Sequence, residues 1–165
     1  YMDKLIEKIS SYNLLNNILP GAVVYYFLQL IIWYQDVELS IARELLLYYF
    51  IGLLCSRLGS LILEPLCKKI RFIEYANYSD YLEAEKNDSK IAILLETNNI
   101  YRTFSSGFTI LVFITFIKII LNKSYFIANI FVNIFVIVCF TLFLFSYKKQ
   151  TKYIKDRVNN YINKN

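Results

Sequence analysis

Residues 125–147 read YFIANIFVNIFVIVCFTLFLFSY and hold no Asp, Glu, Lys or Arg. A helix needs roughly 20 mostly apolar residues to cross the hydrocarbon core of a bilayer, so this stretch alone predicts a membrane span. Working back along the chain, Phe104 to Leu121 forms another apolar block, the third in chain order, whose one charge, Lys118, lies near its end. Ile41 to Leu63 forms the second in chain order, and Pro65 is expected to stop it, because proline cannot donate to the helical ladder. Pro20 to Tyr34 forms the first. Pro20 suits a first helical position, where its missing N–H would be unpaired anyway. Trp33 and Tyr34 suit a membrane interface. No small-residue cleavage site follows this block, so it reads as an anchor rather than a signal peptide. Tyr1, ahead of Met2, is read as an added residue and set aside.

Composition agrees with the spans. The 165 residues are 57% hydrophobic, 18% aromatic and 19% charged. Soluble domains are typically about 45–50% apolar and about 25% charged. Disordered, collagen-like and disulfide-scaffold chains are excluded. Histidine is absent, which removes every mechanism that needs an imidazole base or ligand. Cys55, Cys67 and Cys139 show no CxxC spacing and read as small apolar fillers. Ile, Asn, Lys, Tyr and Phe, all with AT-rich codons, dominate and point to an AT-rich bacterial gene or a mobile island.

Charge sets the expected orientation. Lys and Arg number 18 against 13 Asp and Glu. The cations gather in the N-terminal segment (Lys4, Lys8), in the link after the second span (Lys68, Lys69, Arg71, Lys86, Lys90, Arg102) and in the tail (Lys148, Lys149, Lys152, Lys155, Arg157, Lys164). The two remaining links hold only Arg43 and Lys123. Four spans place all the basic segments on one side, and basic loops stay in the cytoplasm. The expected fold is an all-α membrane protein: four transmembrane helices in an antiparallel bundle, both termini cytoplasmic, in the bacterial inner membrane. Residues 1–147 form the transmembrane unit with a helical link over 64–103, and 148–165 form a basic amphipathic tail.

Outside the spans the pattern is helical. Met2, Leu5, Ile6 and Ile9 share a face that suits the membrane surface. Leu66, Ile70 and Ile73 mark one stripe of the link. Ile91, Leu94, Leu95 and Asn98 mark another, expected to run into the third span, with Asn87 and Asp88 as cap or turn residues between them. Ile154, Val158, Tyr161 and Ile162 share a face of the tail.

Catalytic signatures are missing: there is no GxGxxG, P-loop, GxSxG or HExxH, and no metal or cofactor is expected. Asp80, Glu83, Glu85, Asp88 and Glu96 alternate with lysines and read as a solvated helix face. Arg57 lies about 10 Å inward from Glu64 at 1.5 Å per residue, where a charge is costly. Gln29, Thr115 and Thr141 fall at similar depth, so one reading is an intramembrane polar layer around Arg57; the other is that Arg57 snorkels to the headgroups. Gly52, Cys55, Ser56, Gly59 and Ser60 make a small-residue face on the second span, and Asn129 and Asn133 are spaced for interhelical hydrogen bonds. Lys118 reads as a partner of Asn129. These features suit packing within one bundle or between subunits, and a homo-oligomer is expected. Lys148, Lys149, Lys152, Lys155 and Arg157 suit contact with anionic lipid or a cytoplasmic partner. The tail is too short, and lacks a reader fold, for direct nucleic-acid binding to be expected.

The opening SYNLLNNILPGAVVYYF, residues 11–27, resembles small multi-pass proteins of bacterial antiphage defence islands. In span count, inward termini, cytoplasmic link and basic tail, the plan is most similar to the membrane subunit of the Kiwa system. A second resemblance is to small membrane accessory proteins encoded beside RNA-targeting CRISPR effectors. The resemblance implies a non-enzymatic membrane sensor that oligomerises, responds to infection and works with a cytoplasmic DNA-binding effector. It supplies no site residues. Small multidrug transporters carry a carboxylate in the first span, where this chain has only Gln29. Quinone-linked disulfide oxidoreductases need a cysteine pair that is absent here. The expected function is therefore an inner-membrane subunit that senses infection and regulates an effector. The alternative is an oligomeric pore that depolarises the membrane.

Overall fold

The long Leu/Ile/Phe blocks are too long for strands, and every described element is a helix. The computed structural model describes residues 2–32, 40–122, 125 and 128–163, with side chains from residue 16 onward. Trp33, Tyr34, Lys123, Lys164 and the side chains of the Met2–Ile9 face lie outside the described residues.

The order is α1 (Met2–Ile32), α2 (Ile41–Leu58), a π-helical turn (Gly59–Leu63), α3 (Glu64–Lys69), α4 (Tyr78–Asn87), α5 (Ser89–Leu121) and α6 (Ile130–Ile162). Among the described residues, three stretches are long and apolar enough to cross a membrane: Ile41–Lys69, Ser89–Leu121 and Ile130–Ile162. The first expected span corresponds to a shorter apolar segment, Asn16–Ile32. α1 packs along α2, α5 packs along α6, and α5 also touches α1, α2 and α4.

The span core is apolar and aromatic. Val24, Ile31, Cys55, Phe104, Phe108, Leu111 and Val136 are buried together. Phe143 stacks on Phe104 at 4.4 Å and on Phe108 at 5.5 Å between ring centroids. Much of the outer surface is apolar too: Phe131 is 86% exposed and Leu61 73%. So much exposed apolar surface is costly in water and natural in lipid, which agrees with a membrane protein.

Both prolines act differently from expectation. Pro20 lies inside α1, not at a helix start. It removes a bond to the Asn16 carbonyl, a loss that neighbouring helices and polar side chains offset in membrane helices. Pro65 does not end the second span. It follows the π-helical turn, in which the Glu64 N–H reaches back to the Gly59 carbonyl, and the helix runs on to Lys69. The wider turn accommodates a residue that cannot donate.

Beyond the spans, helices continue rather than restart. α5 begins at Ser89, capped by the Asp88 carboxylate, which accepts from the Lys90 N–H at 3.1 Å. It runs without a break into the apolar segment 104–121. α6 likewise carries the apolar segment 130–147 into residues 148–162, so the basic tail is the second half of one helix. Its Ile154 and Val158 are buried against Ala84 and Ile91. The Leu66, Ile70, Ile73 stripe is split. Leu66 and Ile70 are exposed, while Cys67 and Ile73 are buried against Tyr147. α3 ends at Lys69 with Ile70 as its cap, and the chain reverses at Arg71, so residues on either side no longer share a helical face.

Candidate functional site

A polar belt forms where the apolar halves of α2, α5 and α6 end. The π-helical turn delivers Glu64 to the side of α5. Its Oε2 accepts from Arg102 Nη1 at 2.6 Å, and its Oε1 from Lys68 Nζ at 2.7 Å. The Glu64 and Arg102 side chains are only 17% and 16% exposed. Each therefore needs the other, because an unpaired charge at that burial is costly. Lys68 Nζ also sits 4.4 Å from the centre of the Tyr75 ring. The Tyr75 hydroxyl lies 2.8 Å from that of Tyr147, which is fully buried. Burial pushes the Tyr75 hydroxyl above its ordinary range, so the pair stays neutral and serves as a hydrogen-bonded tie.

One turn further along α6, the Thr151 hydroxyl lies 3.0 Å from Asn98 Oδ1 and 2.9 Å from the Tyr147 carbonyl. Gln150 Nε2 donates to the Leu94 carbonyl at 3.1 Å. Asn98 Nδ2 and Arg102 Nε are buried without a partner among the described residues. Arg102 also lines a polar cavity of about 210 Å³ with Asn16, Asn17, Ser56, Glu96 and Asn99.

Beyond the belt, two ion pairs tie α6 to the link. Lys155 Nζ bonds Glu74 at 2.7 Å, and Arg157 Nε bonds Asp88 at 2.6 Å. Each cation holds its carboxylate below the ordinary value, chiefly through the hydrogen bond it donates. Tyr81 is pushed up to about 12 by burial and by its contact with Glu85.

The residues singled out in the sequence fall into separate places. Arg57 is exposed on the outer face of α2, and its carbonyl accepts from the Ser60 hydroxyl at 3.0 Å. Thr141 is also exposed and donates to the Ile137 carbonyl at 2.8 Å. Thr115 is buried with its hydroxyl unpaired among the described residues. Gln29 is half-buried and donates to the Tyr25 hydroxyl at 3.1 Å. Within one chain, Arg57 and Thr141 thus face out while Thr115 faces in.

The small-residue face is used inside the chain. A Cβ on Gly52 would meet the Asn17 carbonyl oxygen, and one on Gly59 would meet Arg102 and Ser106. Cys55 is buried beside Gly107, and Ser56 lines the polar cavity. Asn133 is buried, and Asn129 donates to the Tyr125 carbonyl at 3.2 Å. Lys118 takes the Ile32 carbonyl at 3.4 Å and the Tyr125 ring rather than Asn129. Of the tail cations, Lys155 and Arg157 are ion-paired, Lys148 lies over the Phe72 ring, and Lys149 and Lys152 are exposed.

The sequence reading passed over Glu64, Tyr75 and Tyr147. The available signal was that Glu64, Arg102 and Tyr147 each sit at the lower end of an apolar block. Such residues share a level in an antiparallel bundle. Among the described residues no group of Cys, Asp and Glu is placed to hold a metal ion. The belt holds paired charges, neutral phenols and amides: it fixes helices against one another. No family model, curated protein or solved structure matches this chain.

Proposed function

We propose that this chain is a non-enzymatic, multi-pass subunit of the bacterial inner membrane that couples span packing to a helical platform on the cytoplasmic side. In this reading both termini are cytoplasmic, as the basic segments favour. The observation that carries it is the continuity of α5 and α6, each a single helix from span to platform. A shift of either span moves the platform with it, and the platform offers a surface whose affinity for a partner differs between two arrangements. The defence-island subunits that the sequence resembles supply the context: infection perturbs the membrane, and a cytoplasmic effector, DNA-binding in a Kiwa-like system, is recruited or released. The chain would work as a homo-oligomer.

The test is purification of the tagged protein in mild detergent after expression with its neighbouring genes, with mass spectrometry of what co-elutes. A stoichiometric soluble partner supports the coupling role. A homo-oligomer without a partner moves the assignment to a depolarising pore. Arg57 favours that second reading: an exposed arginine at span depth could line an oligomer's anion-favouring path. Flux through liposomes separates the two, since a coupling subunit does not conduct.

A further inference from the structure

Arg71 is in the left-handed region at φ 56°, a conformation that non-glycine residues seldom adopt. It lies just past the end of α3 and turns Phe72, Ile73 and Glu74 onto the side of α6. There Lys148, Lys152 and Lys155 follow one another at helical spacing and face the turned segment. Arg71, Phe72, Glu74 and the three lysines line a cavity of about 250 Å³.

The charges in this cavity do not balance. Asp156 is the one further charged residue in its lining, so four cations face two carboxylates. Glu74 is already taken by Lys155. Lys148 lies 4.5 Å from the centre of the Phe72 ring. Arg71 and Lys152 are exposed and have no ion-pair partner among the described residues. Lys148 and Lys152, four apart on one helix, repel each other unless an anion lies between them.

We propose that this cavity binds the phosphate of an anionic phospholipid headgroup. Its position selects a lipid over a soluble phosphate. Lys148 directly follows Tyr147, where the apolar part of α6 ends. Phe145, exposed on the apolar side, packs edge-on against Phe72 at 5.7 Å between centroids. Leu66 and Ile70, also exposed, precede Arg71 at the end of α3. A phosphate held by Arg71 and Lys152 would thus have an apolar wall leading toward the hydrocarbon. The site rests on the chain's being membrane-embedded and is independent of any protein partner.

The test uses the full-length protein, extracted from the membrane fraction with neutral detergent. The thermal midpoint is followed as phosphatidylglycerol, phosphatidylcholine or inorganic phosphate is added. Wild type is expected to be stabilised by phosphatidylglycerol alone. R71Q/K152Q is expected to weaken that response about tenfold or more, given the worth of each cation near an anionic surface. K69Q/K149Q removes the same charge outside the cavity and is expected to keep the response within about threefold. An unchanged midpoint without lipid shows that each variant is folded. Equal losses in the two double variants would overturn the site in favour of diffuse attraction. An equal response to phosphatidylcholine, or saturation by inorganic phosphate, would overturn the anionic-lipid assignment. Recovery of the protein in the soluble fraction would instead defeat the membrane reading itself.

Discussion

Glu64 and Arg102 stand 38 positions apart in sequence and are joined by a 2.6 Å hydrogen bond where the spans meet the polar layer. Neither charge is solvated well enough to stand alone. The pair therefore fixes the level of α5 against the end of the second span. The π-helical turn is what makes the pairing possible: it shifts the register of the helix just before Glu64. Truncating one partner should cost more than replacing both. E64A is expected to lower stability by about 2 kcal/mol or more, somewhat under the ~3–5 typical of fully buried pairs. E64L/R102L is expected to regain much of that loss. Denaturant titration of helicity in mixed micelles reads both. An E64A variant as stable as wild type would show the pair to be solvated and energetically idle.

The Tyr75 and Tyr147 hydroxyls satisfy each other. Y147F leaves the Tyr75 hydroxyl without its partner and is expected to cost about 1–3 kcal/mol. Y75F leaves the fully buried Tyr147 hydroxyl stranded and should cost at least as much. Y75F/Y147F removes both polar groups and keeps the ring packing, so its cost should fall well below the sum of the singles. A double-mutant cycle with no coupling would mean that the hydroxyls have other partners.

The glycines of α1, α2 and the π-helical turn divide sharply by what stands opposite them. A Cβ on Gly52 would fall 1.9 Å from the backbone oxygen of Asn17, and one on Gly21 would fall 1.7 Å from that of Tyr48. Backbone cannot yield at that distance without separating α1 from α2. At Gly59 the nearest atoms are Arg102 Cγ at 3.2 Å and the Arg102 carbonyl oxygen at 3.3 Å, contacts that a shift of a few tenths of an ångström relieves. G52A and G21A should therefore fail to give a monodisperse peak in detergent, while G59A should purify like wild type. A well-behaved G52A would place α1 further from α2 than the structure has it.

This contrast also shows how far the sequence can be read. Apolar blocks longer than any strand announced the spans, and the four-residue spacing of Gly52, Ser56 and Ser60 announced a close-packed face. Spacing could not say that the face meets α1 and α5 of the same chain, because a second copy offers the same chemistry. Arg57 drew attention through its depth, yet depth along a helix says nothing of which way the residue faces. Glu64 escaped notice because Pro65 beside it looked like a stop. A π-helical turn, invisible to a 3.6-residue period, carried the helix through. The tail was legible as one amphipathic face, Ile154 and Val158, but its continuity with the fourth span was not. Lysines from residue 148 onward look like a boundary, although they are only the point where one helix leaves the apolar region.

Acid should loosen the platform before the spans. Lys155 holds the Glu74 carboxylate below its ordinary value of 4.5, and Arg157 holds that of Asp88 below 3.8. A carboxylate with a depressed value contributes stability that is present above its ordinary value and is lost as pH falls through the depressed one. The loss should therefore set in below about pH 4.5 and deepen as the pH drops further. Glu74 is exposed and Asp88 half-buried, so salt should weaken the effect, more at Glu74 than at Asp88. Among the described residues the spans hold no such pair, apart from Glu64 at their edge. Hydrogen exchange, corrected for its intrinsic pH dependence, should thus rise first in residues 74–88 and 150–162 and later in 104–121. In E74Q/D88N the platform should already exchange faster at neutral pH and show little further change on acidification. If that variant kept the wild-type pH profile, other groups would hold the platform to the bundle. The two ion pairs would then be incidental to its docking.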